Sequence, residues 1–548
     1  MTGEIRTEIA SFHAGAGNTR NRRASTAAVC AGLFLLGMDL TVLNVAIPDL
    51  QTALASSAGQ TQWIVDAYAL VLGGLVLTAG GVTDRIGRRR AFLAGLALCA
   101  LASLAGATAA VPWQLIAARG AMGAGASLIM PATLSLLTGM FPEPERRRRA
   151  ISLWAAVGGV GGALGPVIGG WLVSHHSWRA VFWLNVPFAA AVIVLTLLVV
   201  PAPPPARTEP VDLPGTVLSA TGLLALVWAV IEGPGRGWTS TPVLTASAVG
   251  AGLLTAFGVW LRRAPAAMLP PHVRRREVTV PAAALAMMAF GMFGALFVIS
   301  LYLQGVLGCT PWQAGVRTLP LPAALVAGAV LAAVLTARLT HRSVLVTGLA
   351  VVAGSFVLLS GTTPESGYPH LALVQVVAGV GAGLTAAAGT AAVMESVGEA
   401  YAGVGSAVND ATRQVGATLG VAVQGSVLAT VYRDRISEAS ASAGPGGWPS
   451  AARESVVAAA LAGRHAAPAV RSHLLTAATD AFVAGLTRSA WVAALVAVAG
   501  AVAVWRGMPR LAAAPSSHRR EPRRESERES HREPRRERRA ARSSGTSP

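Results

Sequence analysis

Few ionisable side chains in this chain stand inside apolar sequence, and those few are where chemistry could be done. Asp39 lies in the run Phe34–Ile47, FLLGMDLTVLNVAI. A charge in such a helix is costly and usually functional. Asp39 could take up a proton from one side and release it to the other, or it could serve as a buried hydrogen-bonding group on a neighbouring helix. Arg119 keeps its charge at any ordinary pH and can ease or oppose ionisation of a nearby acid as helices move; a fixed structural pair is the plain alternative. Asn409, Arg413, Gly416, Gly420 and Gln424 fall within about 100° of one helical face. A polar-and-small stripe of that kind faces protein or a water-filled cavity, and both substrate contact and a helix seam fit it. Asp410, three residues before Arg413, is placed to pair with it. Asp66, in Trp63-Ile-Val-Asp-Ala-Tyr68, stands near the end of its apolar run and reads also as a solvated helix end. Trp63 and Tyr68 suit interface anchors. Glu232 reads as an exposed helix end.

Other chemistries are excluded by what is missing. All 44 basic residues are Arg, so there is no Gly-Lys-Ser/Thr phosphate loop and no ATPase is expected within the chain. Cys30, Cys99 and Cys309 have no ligand spacing, which indicates neither a disulfide framework nor a zinc site. The ten histidines keep out of the interiors of the apolar segments. No enzyme, metal or cofactor is therefore expected. The net charge of +18 could suggest a nucleic-acid binder, but the arginines sit between apolar segments and in the tail, and no nucleic-acid partner is expected.

The elements that position these residues are membrane spans. The 548 residues are 53% hydrophobic and 13% charged, with mean hydropathy +0.54, a composition for a polytopic membrane protein. Fourteen apolar segments of about 20 residues each match a hydrocarbon core of about 30 Å: 27–48, 63–83, 91–110, 114–140, 150–173, 181–200, 213–232, 242–261, 278–303, 319–339, 344–361, 370–394, 404–431 and 483–505. One alternate set of connections holds Arg85, Arg88–Arg90, Arg146–Arg149, Arg207, Arg262, Arg263, Arg274–Arg276, Arg338 and Arg342, while the other short loops hold Arg179, Arg236 and Arg317. The positive-inside rule puts the first set and both termini in the cytoplasm. Residues 1–26 read as an uncleaved polar N-terminal segment. Residues 432–480 read as a long outer loop with a break at Gly444–Pro449. Residues 508–548 form an Arg/Glu-rich tail that repeats REPRRE at Arg520–Glu525 and Arg532–Glu537 and is expected to be disordered. Its charge could hold it near anionic lipids; a solvated tail without a role is the simpler reading.

The fifth segment carries GGVGGALGPVIGGW, Gly158–Trp171, with no charge between Ala150 and Trp178. Gly158, Gly162, Gly165 and Gly169 share a narrow helical stripe beside Pro166. Glycines let another helix approach closely, and a proline can kink the span. Gly161–Gly170, GGALGPVIGG, resembles the antiporter motif of drug:proton exporters in the major facilitator superfamily. Met38–Pro48 is similar to the first-span signature of its fourteen-span branch. Gly80-Gly-Val-Thr-Asp-Arg-Ile-Gly-Arg-Arg89 resembles the hallmark loop between spans two and three, with Val82 and Thr83 replacing the commoner Leu and Ala. Arg119–Gly125, Trp178-Arg179 with Asn185–Phe188, and Tyr302–Gly305 with Ala314-Gly315 and Leu319-Pro320 resemble further motifs of that branch. Ala337–Arg342 aligns with Gly80–Arg85 as a relic of duplication, with His341 where Asp84 stands.

The resemblance implies an all-α polytopic fold with 14 transmembrane helices. Two six-helix bundles, 27–200 and 278–507, would flank a linker, 201–277, with two additional spans. It implies export of a hydrophobic drug or antibiotic across the cell membrane in exchange for protons, by a monomer among membrane lipids. Asp39 and Arg119 would couple protons. Asp66, Asn409, Arg413 and Gln424 would meet substrate. Gly80, Asp84, Arg85, Gly87 and Arg88 would form a conformational latch against the region Gly403–Ser406, and Gly158, Gly161, Gly162, Gly165, Pro166, Gly169 and Gly170 the antiporter motif. A proton-coupled importer and a non-transporting sensor are the alternatives; the glycine-proline motif speaks against the importer. An acid that some relatives carry in the tenth span is absent, since Arg338 is the sole charge in 319–339, which weakens a case for divalent cationic cargo.

Overall fold

In a bilayer an apolar run must satisfy its own backbone hydrogen bonds, and helices do so within a single segment. Every element among the described residues is accordingly helical. The computed structural model describes residues 2–141, 143–201, 212–264, 274–397, 402–441, 448, 450–453, 455–464 and 467–508. The expected tail beyond Met508, most of the 201–211 connection and all of the Gly444–Pro449 break except Trp448 lie outside them.

The helices run in chain order as α1 (Thr2–Thr41), α2 (Leu43–Leu54), α3 (Ala58–Ile86), α4 (Arg88–Ala107), α5 (Pro112–Met140), α6 (Pro144–His175) and α7 (Arg179–Val199). Then come α8 (Leu213–Arg236), α9 (Thr241–Arg263), α10 (Arg276–Leu301) with a π-helical turn at Tyr302–Val306, α11 (Pro311–Arg317), α12 (Pro320–Thr336), α13 (His341–Ser360), α14 (Tyr368–Val397), α15 (Ala402–Ala441), α16 (Val456–Arg464) and α17 (Pro468–Gly507). Fourteen spans among the described residues are long and apolar enough to cross a membrane, α11 and α12 together making one.

Two expected boundaries are corrected. The first span is not one helix to residue 48: α1 ends at Thr41, Val42 keeps helical dihedrals with its amide donating to the Met38 carbonyl at 2.8 Å, and a separate helix, α2, follows with Pro48 inside. Proline removes a donor and displaces the carbonyl four residues earlier, which bends helices at such places. The loop read as 432–480 is much shorter. α15 continues to Ala441 because Tyr432 and Ile436 bury on the next turns, and α17 begins at Pro468 with Leu474, Ala478 and Phe482 buried. Between them a short 3-10 turn, Ser450–Arg453, is tied back by the Tyr432 hydroxyl, which donates to the Ala452 carbonyl at 2.8 Å.

Residues between Ala28 and Val200 share one apolar core, joined by Ala411 alone from the later chain. Two further cores are built mainly from residues 278–504. α8 lies along α3, with Thr216 bonded to Thr78 and Ile231 against Gly59. Its Leu223, Val227 and Ile231 also pack with Leu70 of α3 and Ala422 of α15. α9 lies outside α8 and buries only Val243 and Gly250.

The loops rich in arginine define one end of the bundle. At the far end, among the described residues, four hydrogen bonds tie the first seven helices to the last eight. Ser300 donates to the Asn44 carbonyl at 2.7 Å, Gln304 to the Val45 carbonyl at 3.1 Å and Ser455 to Gln51 at 3.2 Å, and the Trp312 amide donates to Ser174 at 3.0 Å. At the arginine-rich end, β-carbons added at Gly80 or Gly87 would meet nothing within 4 Å.

Candidate functional site

Five helices converge on Asp39. Its carboxylate, on α1, is 4% exposed. Arg119 of α5, itself 2% exposed, approaches Oδ2 to 3.4 Å. The Asn185 amide of α7 donates to Oδ1 at 2.9 Å and to the Ser103 hydroxyl of α4 at 3.1 Å; that hydroxyl donates onward to the Phe182 carbonyl at 2.9 Å. Arg119 Nε donates to the Ile64 carbonyl of α3 at 3.2 Å, and its guanidinium lies 4.4 Å from the Tyr68 ring centre. The arginine is thus held by a backbone oxygen and a ring face, and the pair does not depend on one contact. A lone ammonium could not make this fork. A small cavity beside the pair is lined by Leu36, Asp39, Tyr68, Cys99, Met122 and Asn185, and the Asn185 carbonyl oxygen has no protein partner there.

Taking both charges out of water costs several kcal/mol per ion. The Coulomb attraction at 3.4 Å and the added hydrogen bonds offset that cost only while the geometry lasts. An acid held in this balance is sensitive to small helix shifts. Asn185 and Ser103 were not expected as its partners. Their signal was present as polar side chains inside apolar spans, but nothing in sequence spacing joins residues 146 apart.

Asp66 is not a solvated helix end. It is 1% exposed, and neither carboxylate oxygen has a hydrogen-bond partner. Gln62 and Gly73, on the same face of α3, oppose Gly425 and Gln414 of α15. Asp66 therefore belongs to the seam between α3 and α15, where the Gln414 carbonyl and Thr418 hydroxyl are also unpartnered.

The stripe on α15 divides. Gly416 and Gly420 press on the Ala286 and Phe290 carbonyls of α10, and the Gln424 amide donates to the Phe290 carbonyl at 2.8 Å. Asn409 accepts from Thr390 of α14 at 3.0 Å. These residues form a helix seam. Arg413 stays partly exposed, and the expected Asp410–Arg413 ion pair does not close, because the Asp410 carboxylate turns to the Asn409 amide at 3.5 Å.

The glycine motif sets α6 directly on α1. A β-carbon at Gly161 would lie 2.5 Å from the Phe34 carbonyl oxygen, at Gly165 2.8 Å from that of Met38, and at Gly169 2.6 Å from that of Val42. Gly158 faces Leu33, and Gly162 lies opposite Gly37. Pro166 strands the Gly162 carbonyl, which accepts instead from the Thr41 hydroxyl at 2.8 Å. Beyond, Gly170 meets Pro311 and the Pro166 carbonyl meets Gly315, so the same helix reaches α11 at the far end.

In the α3–α4 turn, Gly87 takes φ +93°, a conformation that suits glycine. Asp84 pairs with Arg88 at 3.7 Å, Arg88 donates to the Ser135 carbonyl at 3.1 Å, and Arg85 is exposed. The expected partner of this turn begins beside residues 398–401, outside the described residues. Gly405 packs on Met394 and Val397 of α14. Glu232 pairs with Arg236 at 2.9 Å.

Residues 29–421 match the family model described as the Major Facilitator Superfamily. The methylenomycin A resistance protein of Streptomyces coelicolor is 36% identical over 406 residues, 73% of this chain and 84% of that protein. The tetracenomycin C resistance and export protein of Streptomyces glaucescens is 33% identical over 87% of this chain and 90% of its own length. The multidrug efflux pump LfrA of Mycolicibacterium smegmatis is 33% identical over 86% and 93%. Among solved structures, a bacterial homologue of the human lysosomal transporter Spinster, inward-facing and unoccupied, superposes with TM-score 0.62 at 18% identity, over 90% of this chain and 99% of that one. Fourteen apolar spans, a matching family model over most of them and a shared transporter fold lead to one conclusion: this chain belongs to the major facilitator superfamily.

Proposed function

We propose that the protein exports a hydrophobic drug or antibiotic across the cell membrane in exchange for protons, by alternating access. Three relatives named for methylenomycin A resistance, tetracenomycin C resistance and export, and multidrug efflux support the cargo class. The observation that carries proton coupling is the buried Asp39–Arg119–Asn185 cluster. A proton reaching Asp39 cancels the attraction to Arg119 and frees the guanidinium to follow its Ile64 and Tyr68 partners on α3. That coupling turns an ionisation into a shift of α3 relative to α1.

In this reading residues 27–200 and 278–507 rock as two bundles, with 201–277 between them. Both termini and the arginine-rich end face the cytoplasm, and the protein works as a monomer among lipids. Asp66 and Arg413 meet cargo, while Asn409 and Gln424 hold α15 beside them. The turn with Gly80, Asp84, Arg85, Gly87 and Arg88 latches when the cytoplasmic side closes. The far-end hydrogen bonds and the clear space at Gly80 support taking this structure as the state open to the cytoplasm.

The test is drug uptake into inverted vesicles under an imposed pH gradient. Asp39→Asn should abolish gradient-driven accumulation while leaving downhill drug movement. Full gradient-driven accumulation in that variant would remove Asp39 as the proton carrier, and wild-type vesicles that bind drug without accumulating it would remove export altogether.

A further inference from the structure

A proline inside a helix strands the carbonyl four residues before it. Among the described residues, four stranded carbonyls accept from a hydroxyl on another helix. Gly162, before Pro166, takes Thr41 at 2.8 Å; Glu277, before Pro281, takes Ser396 at 3.2 Å; Asn44, before Pro48, takes Ser300 at 2.7 Å; Val230, before Pro234, takes Ser426 at 2.7 Å. The first pair joins α1 to α6 and the second α10 to α14, each inside one set of packed helices. The other two cross between sets. Ser300 reaches from α10 to α2. Ser426 reaches from α15 to α8, and α8 is fastened along α3 by Thr216 and Ile231.

Both crossing bonds lie at the far end, and each has a companion. Gln304 donates to the Val45 carbonyl at 3.1 Å, and Arg433 donates to the Pro234 carbonyl. Ser300 is 1% exposed and Ser426 0%.

We infer that Ser300 and Ser426 are positioning residues that hold the outer face shut, each capping a carbonyl that its neighbouring proline strands, and that transport breaks and remakes these two bonds. The inference rests on the alternating-access reading above. An ordinary helix carbonyl is already occupied by its own backbone amide. A stranded one can pass from a hydroxyl in the closed face to water in the open face without unwinding the helix. A serine has short reach, so a parting of a few ångströms is enough to release it. Without the hydroxyl the carbonyl is orphaned only while the face is shut, since opening admits water. Removing the hydroxyl therefore penalises the closed state and not the open one.

The test uses the full chain in lipid nanodiscs with spin-label pairs at Thr52→Cys with Glu365→Cys for the outer end, and Arg90→Cys with Arg338→Cys for the arginine-rich end. All four positions are exposed and the three native cysteines are buried. Distances are read by double electron–electron resonance across a range of pH. The Ser300→Ala/Ser426→Ala double variant should raise the long outer distance about tenfold in population, equivalent to about 1.4 kcal/mol, with a matching gain in the short distance at the other end. Ser396→Ala, which removes an exposed cap inside one set of helices that water can replace, should leave both distances alone. A wild type that shifts with pH beside a double variant with unchanged populations would overturn the inference alone. A single fixed distance at each end in both proteins would overturn it together with alternating access.

Discussion

Alanine at Gly169 tests how closely α6 must lie on α1. Its β-carbon would stand 2.6 Å from the Val42 carbonyl oxygen and 2.8 Å from a Val42 methyl, where ordinary contact begins at 3.4 Å. The obstacle is backbone, so no rotamer change relieves it, and α6 must retreat by about 0.8 Å. Overpacking of this kind costs typically about 1–3 kcal/mol. Gly165→Ala should cost more. There the new carbon meets both the Met38 carbonyl at 2.8 Å and the Thr41 hydroxyl, and Thr41 is the donor that satisfies the carbonyl stranded by Pro166. Displacing it adds an orphaned buried acceptor, worth about 1–3 kcal/mol. Gly159 is the control, because nothing lies within 4 Å of its β-carbon, and alanine there should gain up to about 1 kcal/mol of helix propensity. Thermal unfolding in micelles and drug accumulation in vesicles should both rank the proteins Gly159→Ala at or above wild type, then Gly169→Ala, then Gly165→Ala. Equal melting temperatures and equal accumulation across the three variants would refute the claim that this contact is set by the absence of side chains.

Arg119→Ala should destabilise the fold by about 3–5 kcal/mol at neutral pH, because it leaves Asp39 buried without its counter-charge; adding Asp39→Asn should recover most of the lost melting temperature. Asp66→Asn should leave melting temperature unchanged or higher, since neither oxygen is hydrogen-bonded, while transport of cationic dyes falls. Thr41→Val should lower stability by about 1 kcal/mol through loss of the Gly162 cap, read by thermal unfolding, with drug specificity unchanged.

Spans were readable because hydropathy over about 20 residues is a property of a segment alone. Asp39 and Arg119 stood out for the same reason, as charges where charges are costly. That they meet, and that Asn185 and Ser103 meet them, depends on how five helices cross, which no local pattern records. The burial of Asp66 was missed for the complementary reason: a helix end near the interface is solvated unless another helix covers it, and α15 does. The extended α15 and α17 escaped detection because beyond the apolar windows only single turns, such as Tyr432 with Ile436, carry the buried face. The prolines were visible, but not the hydroxyls that serve them, which lie as far as 256 positions away.

The position of α8 has a consequence for traffic from the lipid. The earlier and later helices meet along two flanks, α3 against α15 and α6 against α11. α8 covers the first, with Leu223, Val227 and Ile231 wedged against Leu70 and Ala422. Under the export reading proposed above, a compound dissolved in the bilayer would meet α8 on that flank and not the α3–α15 seam. In that reading the extra pair of helices makes the two flanks unequal, one shielded from lipid by α8 and the other not covered by it.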